Sequence, residues 1–220
     1  MMKLPRRPQA VIFDMDGLIF DTEALHEEAS GMAARDLSHA MTPELFRSLI
    51  GLTGPDGRAR VRHHFGPDFP LDAFFERWGV HFHALAETRL RLKPGVNEIL
   101  DLLDELDLPR AIATSSSHTT VNHHLAQHGL GGRFQEIVAR GDYRNGKPAP
   151  DPYLTAAARL GVLPSACLAL EDSHNGVKSA AAAGTMTVMV PDLLSATQDM
   201  KALCVLVASD LHTVCRLLSR

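Results

Sequence analysis

Residues 10–17 have the sequence AVIFDMDG, in which four apolar residues lead directly into an acidic turn that contains glycine. A short run that is apolar at every position is typical of a parallel strand buried on both faces of its sheet. Similar runs recur along the chain, and the last of them is the weakest: residues 110–113, 135–139, 167–170, 186–190 and 204–208. The chain is therefore predicted to contain six strands, most of which lead into a polar loop.

Helical periodicity fills most of the gaps between these strands. Apolar residues recur at helical spacing between residues 96 and 106. Glycines 129, 161 and 184 follow three further helical stretches, where a C-terminal cap is expected. Alternating strands and helices predict an α/β protein with a doubly wound parallel sheet, covered by helices on both faces.

Residues from about 22 to 92 interrupt this alternation, because no strand pattern occurs there. Helical stripes are present instead, and the segment holds six of the nine phenylalanines and the only tryptophan. We therefore predict an α/β catalytic core formed by residues 1–20 and 94–220. Residues 21–93 are predicted to form an all-helical cap inserted after the first strand.

The composition argues against several classes of protein. The 220 residues are 45% hydrophobic and 22% charged, which is ordinary for a globular domain. The net charge of 22 − 26 = −4 offers no basic surface for a nucleic acid, and no stretch reaches the ~18 apolar residues of a membrane span. The three cysteines are far apart and in no metal-binding spacing. We expect a cytoplasmic protein without nucleic-acid or membrane partners, and the sequence leaves its oligomeric state open.

Polar side chains follow the predicted strands at their carboxyl ends, where open parallel sheets bind ligands. They are Asp14, Asp16, Ser115, Ser116, Asp142, Lys147, Glu171 and Asp172. Carboxylates that converge in a site of low dielectric repel one another, and a divalent cation offsets that repulsion. Ligand sets made only of oxygen suit Mg²⁺, which shares its coordination with waters and substrate phosphates. The sequence therefore predicts a Mg²⁺ site at this edge of the sheet.

A phosphate group would find positive and donor groups in the same set. Ser115 and Ser116 precede a helix whose N-terminus favours anions, and Lys147 supplies a point charge from a stretch stiffened by prolines. Asp14 is the candidate nucleophile, because a carboxylate can accept a phosphoryl group. Asp16 lies two residues further on, on the same side of an extended segment, and can act as the acid and base.

Four segments resemble, in order, the motifs of the haloacid dehalogenase superfamily: residues 11–23 (VIFDMDGLIFDTE), 114–117 (TSSS), 146–153 (GKPAPDPY) and 170–184 (LEDSHNGVKSAAAAG). The sequence is most similar to the β-phosphoglucomutase group, which includes sugar- and nucleoside-phosphate phosphatases with a helical cap. The resemblance implies Mg²⁺ bound by the Asp14 side chain, the Asp16 main-chain carbonyl and Asp172. Glu171 is implied as a direct or indirect partner of the metal, and the helical insert as a mobile cap.

The resulting hypothesis is a Mg²⁺-dependent phosphatase that hydrolyses a small phosphorylated metabolite through an aspartyl-phosphate on Asp14. One alternative is a mutase, because His26 matches a histidine that β-phosphoglucomutase uses, although many phosphatases of the group carry it too. A remote alternative is a receiver-like signalling module, which also uses an aspartate, a hydroxyl and a lysine on a similar sheet. His26 and residues 51–54 are candidates for contacts with the substrate.

Overall fold

A computed structural model describes residues 3–52 and 54–219 of the chain. The chain divides into two compact units, Met1–Ile19 with Leu92–Arg220 and Phe20–Arg91. The first unit holds every strand of the described residues and the second is helical. The predicted α/β class is confirmed, whereas the assignment of the units as catalytic core and cap stays a prediction.

The helical unit contains α1 (Glu23–Asp36), α2 (Pro43–Arg47), α3 (Gly54–Phe65) and α4 (Leu71–Arg89). Aromatic side chains fill its centre, where Phe65 stacks on Phe69 with ring centroids 4.4 Å apart. Phe74 of α4 is completely buried against the same cluster. Thr53, which lies within the segment predicted to contact substrate, falls outside the described residues.

Six parallel strands form one sheet in the order β3-β2-β1-β4-β5-β6. They are β1 (Ala10–Phe13), β2 (Arg110–Ala113), β3 (Glu136–Val138), β4 (Cys167–Glu171), β5 (Met186–Met189) and β6 (Leu206–Val207). The four inner strands are buried at every position, as their apolar runs predict. Of the residues 204–208 predicted for the sixth strand, only Leu206–Val207 form it.

The α/β unit also contains six helices and one short 3₁₀ turn, Pro164–Ala166, among its described residues. The helices are α5 (Val96–Glu105), α6 (His118–Gln127), α7 (Asp151–Arg159), α8 (His174–Ala182), α9 (Gln198–Leu203) and α10 (Leu211–Leu218). Within residues 3–52 and 54–219, no helix combines the length and the apolar character that crossing a bilayer requires.

Helix α7 packs closely on the sheet because both surfaces carry small side chains. Ala156 and Ala157 of α7 share a buried cluster with Ala10 of β1 and Ala169 of β4. Tyr153, on the same helix, is completely buried in this cluster. The packing brings the start of α7 next to the ends of β1 and β4.

The order of the strands reverses between β1 and β4, since β2 and β3 lie on one side of β1 and β4 to β6 on the other. Phe13 of β1 is in register with Leu170 of β4. Asp14, directly after β1, and Glu171, the last residue of β4, therefore lie side by side. Open α/β sheets bind ligands at such a reversal, so the topology places two acidic residues where a ligand is expected.

Candidate active site

Three acidic residues meet at the carboxyl ends of β1 and β4. Asp14, Glu171 and Asp172 are all buried, and each offers a carboxylate oxygen within 4.8 Å of the others. Burying three carboxylates together is unfavourable unless positive charge compensates them. The donor set consists only of oxygen atoms at close range, which fits a hard divalent cation such as Mg²⁺.

The electrostatics of Asp14 reflect this crowding. Burial raises the pKa of the Asp14 carboxyl to about 7; the Lys147 charge opposes the shift, and Glu171 and Asp16 add to it. Burial alone would lower the pKa of Lys147, but the charges of Asp14 and Glu171 outweigh that effect and raise it above its usual value. A bound cation would act in the same direction as Lys147 and favour the ionised form of Asp14.

Lys147 lies between two of the acidic residues. Its Nζ donates to Glu171 Oε1 at 2.6 Å and also to Asp14 Oδ1. The segment that carries it is fixed, because the Ser179 hydroxyl of α8 donates to the Ala149 carbonyl at 2.5 Å. The structure thus brings Lys147 to the acidic residues, as expected of a group that would meet a phosphate beside Asp14.

Glu171 is held by protein donors on both of its oxygens. Oε1 accepts from Lys147 and from the Tyr153 hydroxyl at 2.7 Å. Oε2 accepts from the Ser173 hydroxyl at 3.1 Å and the Ser173 N–H at 3.3 Å. An ionised carboxylate has about four acceptor positions, and protein donors already occupy this number on Glu171. Glu171 is close enough to Asp14 and Asp172 to share an ion with them, but few of its lone pairs remain for a metal. Asp14 and Asp172 are therefore the better candidates for direct ligands.

Asp16 faces the loop that follows β2. Its Oδ2 accepts from the Ser116 hydroxyl at 2.8 Å and from the Thr114 hydroxyl at 3.5 Å. Ser115, which was predicted to bind phosphate, is exposed beside them. Thr114 is buried and was given no role by sequence reasoning, although it is the first polar residue after β2, as Asp14 is after β1.

Asp142 does not join the acidic residues, contrary to the expectation from its position after a strand. It accepts from the Ala139 N–H at 3.0 Å, from His118 at 2.8 Å and from Arg159 at 3.2 Å. The reason is lateral position, since β3 is an edge strand and β2 separates it from β1. Asp142 closes the loop after β3 and ties it to α6 and α7.

His26 lies on α1 within the helical unit. Its ring stacks on Phe82 of α4, with centroids 3.8 Å apart and planes at 4°, and meets the edge of Trp78 at 6.0 Å. This packing is compatible with a structural role inside the unit. A contact between His26 and substrate stays a prediction.

Two glycines allow the backbone to approach the acidic side chains. Gly17, directly after Asp16, has a φ of 83°, and a methyl group there would overlap the Asp172 carboxylate. Gly176, in the first turn of α8, lies so close to Glu171 that an added methyl would overlap its carboxylate. Both glycines make room for a carboxylate.

We expect Gly176→Ala to destabilise the protein by roughly 1–3 kcal/mol, the usual cost of overpacking a filled core. Alanine stabilises a helix relative to glycine by up to about 1 kcal/mol. A loss of stability in Gly176→Ala would therefore have to come from the clash with Glu171. Thermal and denaturant unfolding measure it. Gly79→Ala, in α4, is the control, because an added methyl there meets nothing within 4 Å. Equal stability of Gly176→Ala and the wild type would contradict this packing.

Comparisons with known proteins extend over most of the chain. The family model for haloacid dehalogenase-like hydrolases matches residues 11–190. A probable pseudouridine-5'-phosphatase from Drosophila melanogaster is 38% identical over 206 residues, covering 86% of this chain and 84% of that protein. A phosphorylated carbohydrates phosphatase from Thermotoga maritima is 32% identical, covering 80% and 82%. A crystal structure described as a "putative beta-phosphoglucomutase" from Thermotoga maritima has a TM-score of 0.80 at 28% identity, covering 96% and 99%.

Proposed function

Because the chain belongs to the haloacid dehalogenase-like hydrolase family, we propose that it is a Mg²⁺-dependent phosphatase acting on a sugar or nucleoside monophosphate. Its relatives include named phosphatases, so the enzyme class is that of a phosphoric monoester hydrolase. The observation that carries the proposal is the meeting of Asp14, Asp172 and Lys147 at the reversal of strand order.

The proposed reaction has two steps. In the first, an Asp14 oxygen bonds to the phosphorus, the ester P–O bond breaks, and Asp16 gives its proton to the departing oxygen. In the second, Asp16 takes a proton from a water, whose oxygen bonds to the phosphorus while the bond to Asp14 breaks. Inorganic phosphate leaves, and both carboxyl groups return to their starting states.

The remaining residues of the site bind and orient the phosphate in this proposal. Lys147 would neutralise part of the phosphate charge beside Asp14, and Ser115 and Ser116 would donate hydrogen bonds. Mg²⁺, held by Asp14, Asp172 and the Asp16 main-chain carbonyl, would offset the repulsion between the carboxylates and the phosphate.

Each structural unit has a role in this proposal. The unit of Met1–Ile19 and Leu92–Arg220 acts as the catalytic core, and Phe20–Arg91 acts as the cap, with His26 as a candidate substrate contact. A cytoplasmic location, with a small phosphorylated metabolite as the partner, stays a prediction.

We expect phosphate release from at least one member of a panel of sugar and nucleoside monophosphates, and only when Mg²⁺ is present. A colorimetric phosphate assay measures the release for each compound with and without the metal. Asp14→Asn protein, purified in parallel, controls for a contaminating phosphatase. Absence of release from every compound, or equal release by Asp14→Asn, would count against the proposal.

A phosphomutase is the second candidate, supported by the structural similarity to the "putative beta-phosphoglucomutase". A mutase would convert a β-hexose 1-phosphate into the 6-phosphate when a hexose bisphosphate primer is added. Chromatography separates that product from free phosphate, and release of phosphate alone would exclude the mutase. The receiver-like alternative is not retained, since the chain belongs to a hydrolase family.

A further inference from the structure

Tyr153 carries a hydroxyl into the densest part of the α/β unit. By volume it is the largest of the fully buried side chains among the described residues, and its ring packs with Ala156, Ala157 and Ala169. A phenylalanine ring would fill the same apolar space. A buried hydroxyl is unfavourable unless it is hydrogen-bonded, so this one is best understood through its partner.

The partner of this hydroxyl is Glu171. The Tyr153 O–H donates to Glu171 Oε1 at 2.7 Å, the oxygen that also accepts from Lys147 at 2.6 Å. Ser173 holds the other oxygen, and Gly176 closes the remaining side. The Glu171 carboxylate therefore has one orientation, and Tyr153 is the donor that fixes the oxygen facing Lys147.

Lys147 is restrained by Tyr153 a second time. Its Nζ lies 5.1 Å from the centroid of the Tyr153 ring. The ring of Tyr153 and the Glu171 carboxylate that its hydroxyl holds therefore act on the same ammonium group. A lysine ammonium is a compact charge on a flexible stem, and its position depends on such contacts. The same Nζ also donates to Asp14.

We propose that Tyr153 is a positioning residue, whose hydroxyl orients Glu171 so that Lys147 is held against Asp14. This inference rests on the proposed function of the same site. The Tyr153 hydroxyl donates to Glu171 rather than to Asp14, so its effect passes through Glu171 and Lys147. Catalysis depends on exact placement of such charged groups, so a displaced Lys147 is expected to lower the rate of the chemical step.

We expect Tyr153→Phe to lower kcat about tenfold and to change KM by less than about threefold. The control is Thr187→Val, which also removes a fully buried hydroxyl from the α/β unit but one that pairs with Thr185. Thr187→Val should keep the wild-type kcat. In a Glu171→Gln background, Tyr153→Phe should have a smaller effect than in the wild type, because coupled residues are not additive.

A spectroscopic measurement tests the inference without turnover. The chain has five lysines, so ¹⁵N-lysine labelling gives few Nζ resonances. The resonance that is missing from the spectrum of Lys147→Met belongs to Lys147. We expect Tyr153→Phe to shift or broaden this resonance and Thr187→Val to leave it unchanged. Spectra are recorded well below the unfolding transition of every variant.

The outcomes separate this inference from the proposed function. A lower kcat with a displaced Lys147 resonance supports the positioning role. An unchanged resonance overturns it, and so does a kcat that Tyr153→Phe lowers no more than Thr187→Val. If the wild type hydrolyses none of the phosphate esters, the proposed function fails, and the Lys147 resonance alone decides the inference. Should Tyr153→Phe not fold, Tyr153→Leu, which also removes the hydroxyl, takes its place, and an unchanged Lys147 resonance in that variant overturns the inference.

Discussion

Asp14→Asn is expected to lower kcat at least about 10³-fold, a loss in line with removing the nucleophile of a covalent mechanism. The amide has the shape of the carboxylate, but it is too weak a nucleophile to take up the phosphoryl group. The fold should survive, because the substitution also relieves repulsion between Asp14 and its acidic neighbours. Steady-state kinetics on the best substrate of the panel measure the loss, and circular dichroism measures the fold.

The matched control for this prediction is Asp107→Asn. Asp107 belongs to the same unit, lies outside the acidic cluster, and has a φ of 51° that asparagine also tolerates. It should keep the wild-type kcat. If Asp14→Asn retained a rate within about tenfold of the wild type, a different residue would have to be the nucleophile.

Removing the divalent metal is expected to abolish turnover, and added Mg²⁺ is expected to restore it. Asp172→Asn should raise the Mg²⁺ concentration for half-maximal activity by at least about 10- to 100-fold, the loss seen even when an outer partner of a metal ligand is removed. The three buried carboxylates share one positive side chain, that of Lys147, so an excess of negative charge remains that a divalent cation would offset. Titration of Mg²⁺ into protein treated with a chelator measures both effects.

A binding measurement makes this second prediction independent of activity. A ligand that binds only the folded state raises the unfolding temperature, so Mg²⁺ should raise the Tm of the wild type and have less effect on Asp172→Asn. Asp142→Asn is the control, because Asp142 also follows a strand but engages His118 and Arg159. A Tm that responds equally to Mg²⁺ in wild type and Asp172→Asn would contradict the assignment of the site.

The elements of the fold could largely be predicted from local sequence. Each inner strand is buried on both faces, so its run of apolar residues is itself the signal. The weakest signal, at residues 204–208, gave the least accurate boundary, since the strand itself is only Leu206–Val207, although the N–H groups of Val205 and Ala208 also donate to carbonyls of β5. An edge strand is short and half-buried, and its pattern is therefore harder to distinguish from the end of a helix.

The residues of the candidate site were predicted with mixed success. The positions of Asp14, Lys147 and Asp172 follow from motifs that combine a strand end with a turn, and the structure brings all three together. Asp142 was wrongly expected among them, because a strand end says nothing about how far the strand lies from the reversal in the sheet. Thr114 was missed because its hydroxyl looks like that of any serine or threonine in a loop.

The sequence by itself determined which segments form most of the strands and helices, and which residue types stand at the strand ends. Those features depend on backbone periodicity and turn chemistry, which repeat over a few residues. Only the tertiary structure decided that Asp14 and Glu171 leave neighbouring strands, and that Tyr153 donates to Glu171. These contacts join residues up to 157 positions apart, and they follow from strand order, register and packing, which no local pattern encodes.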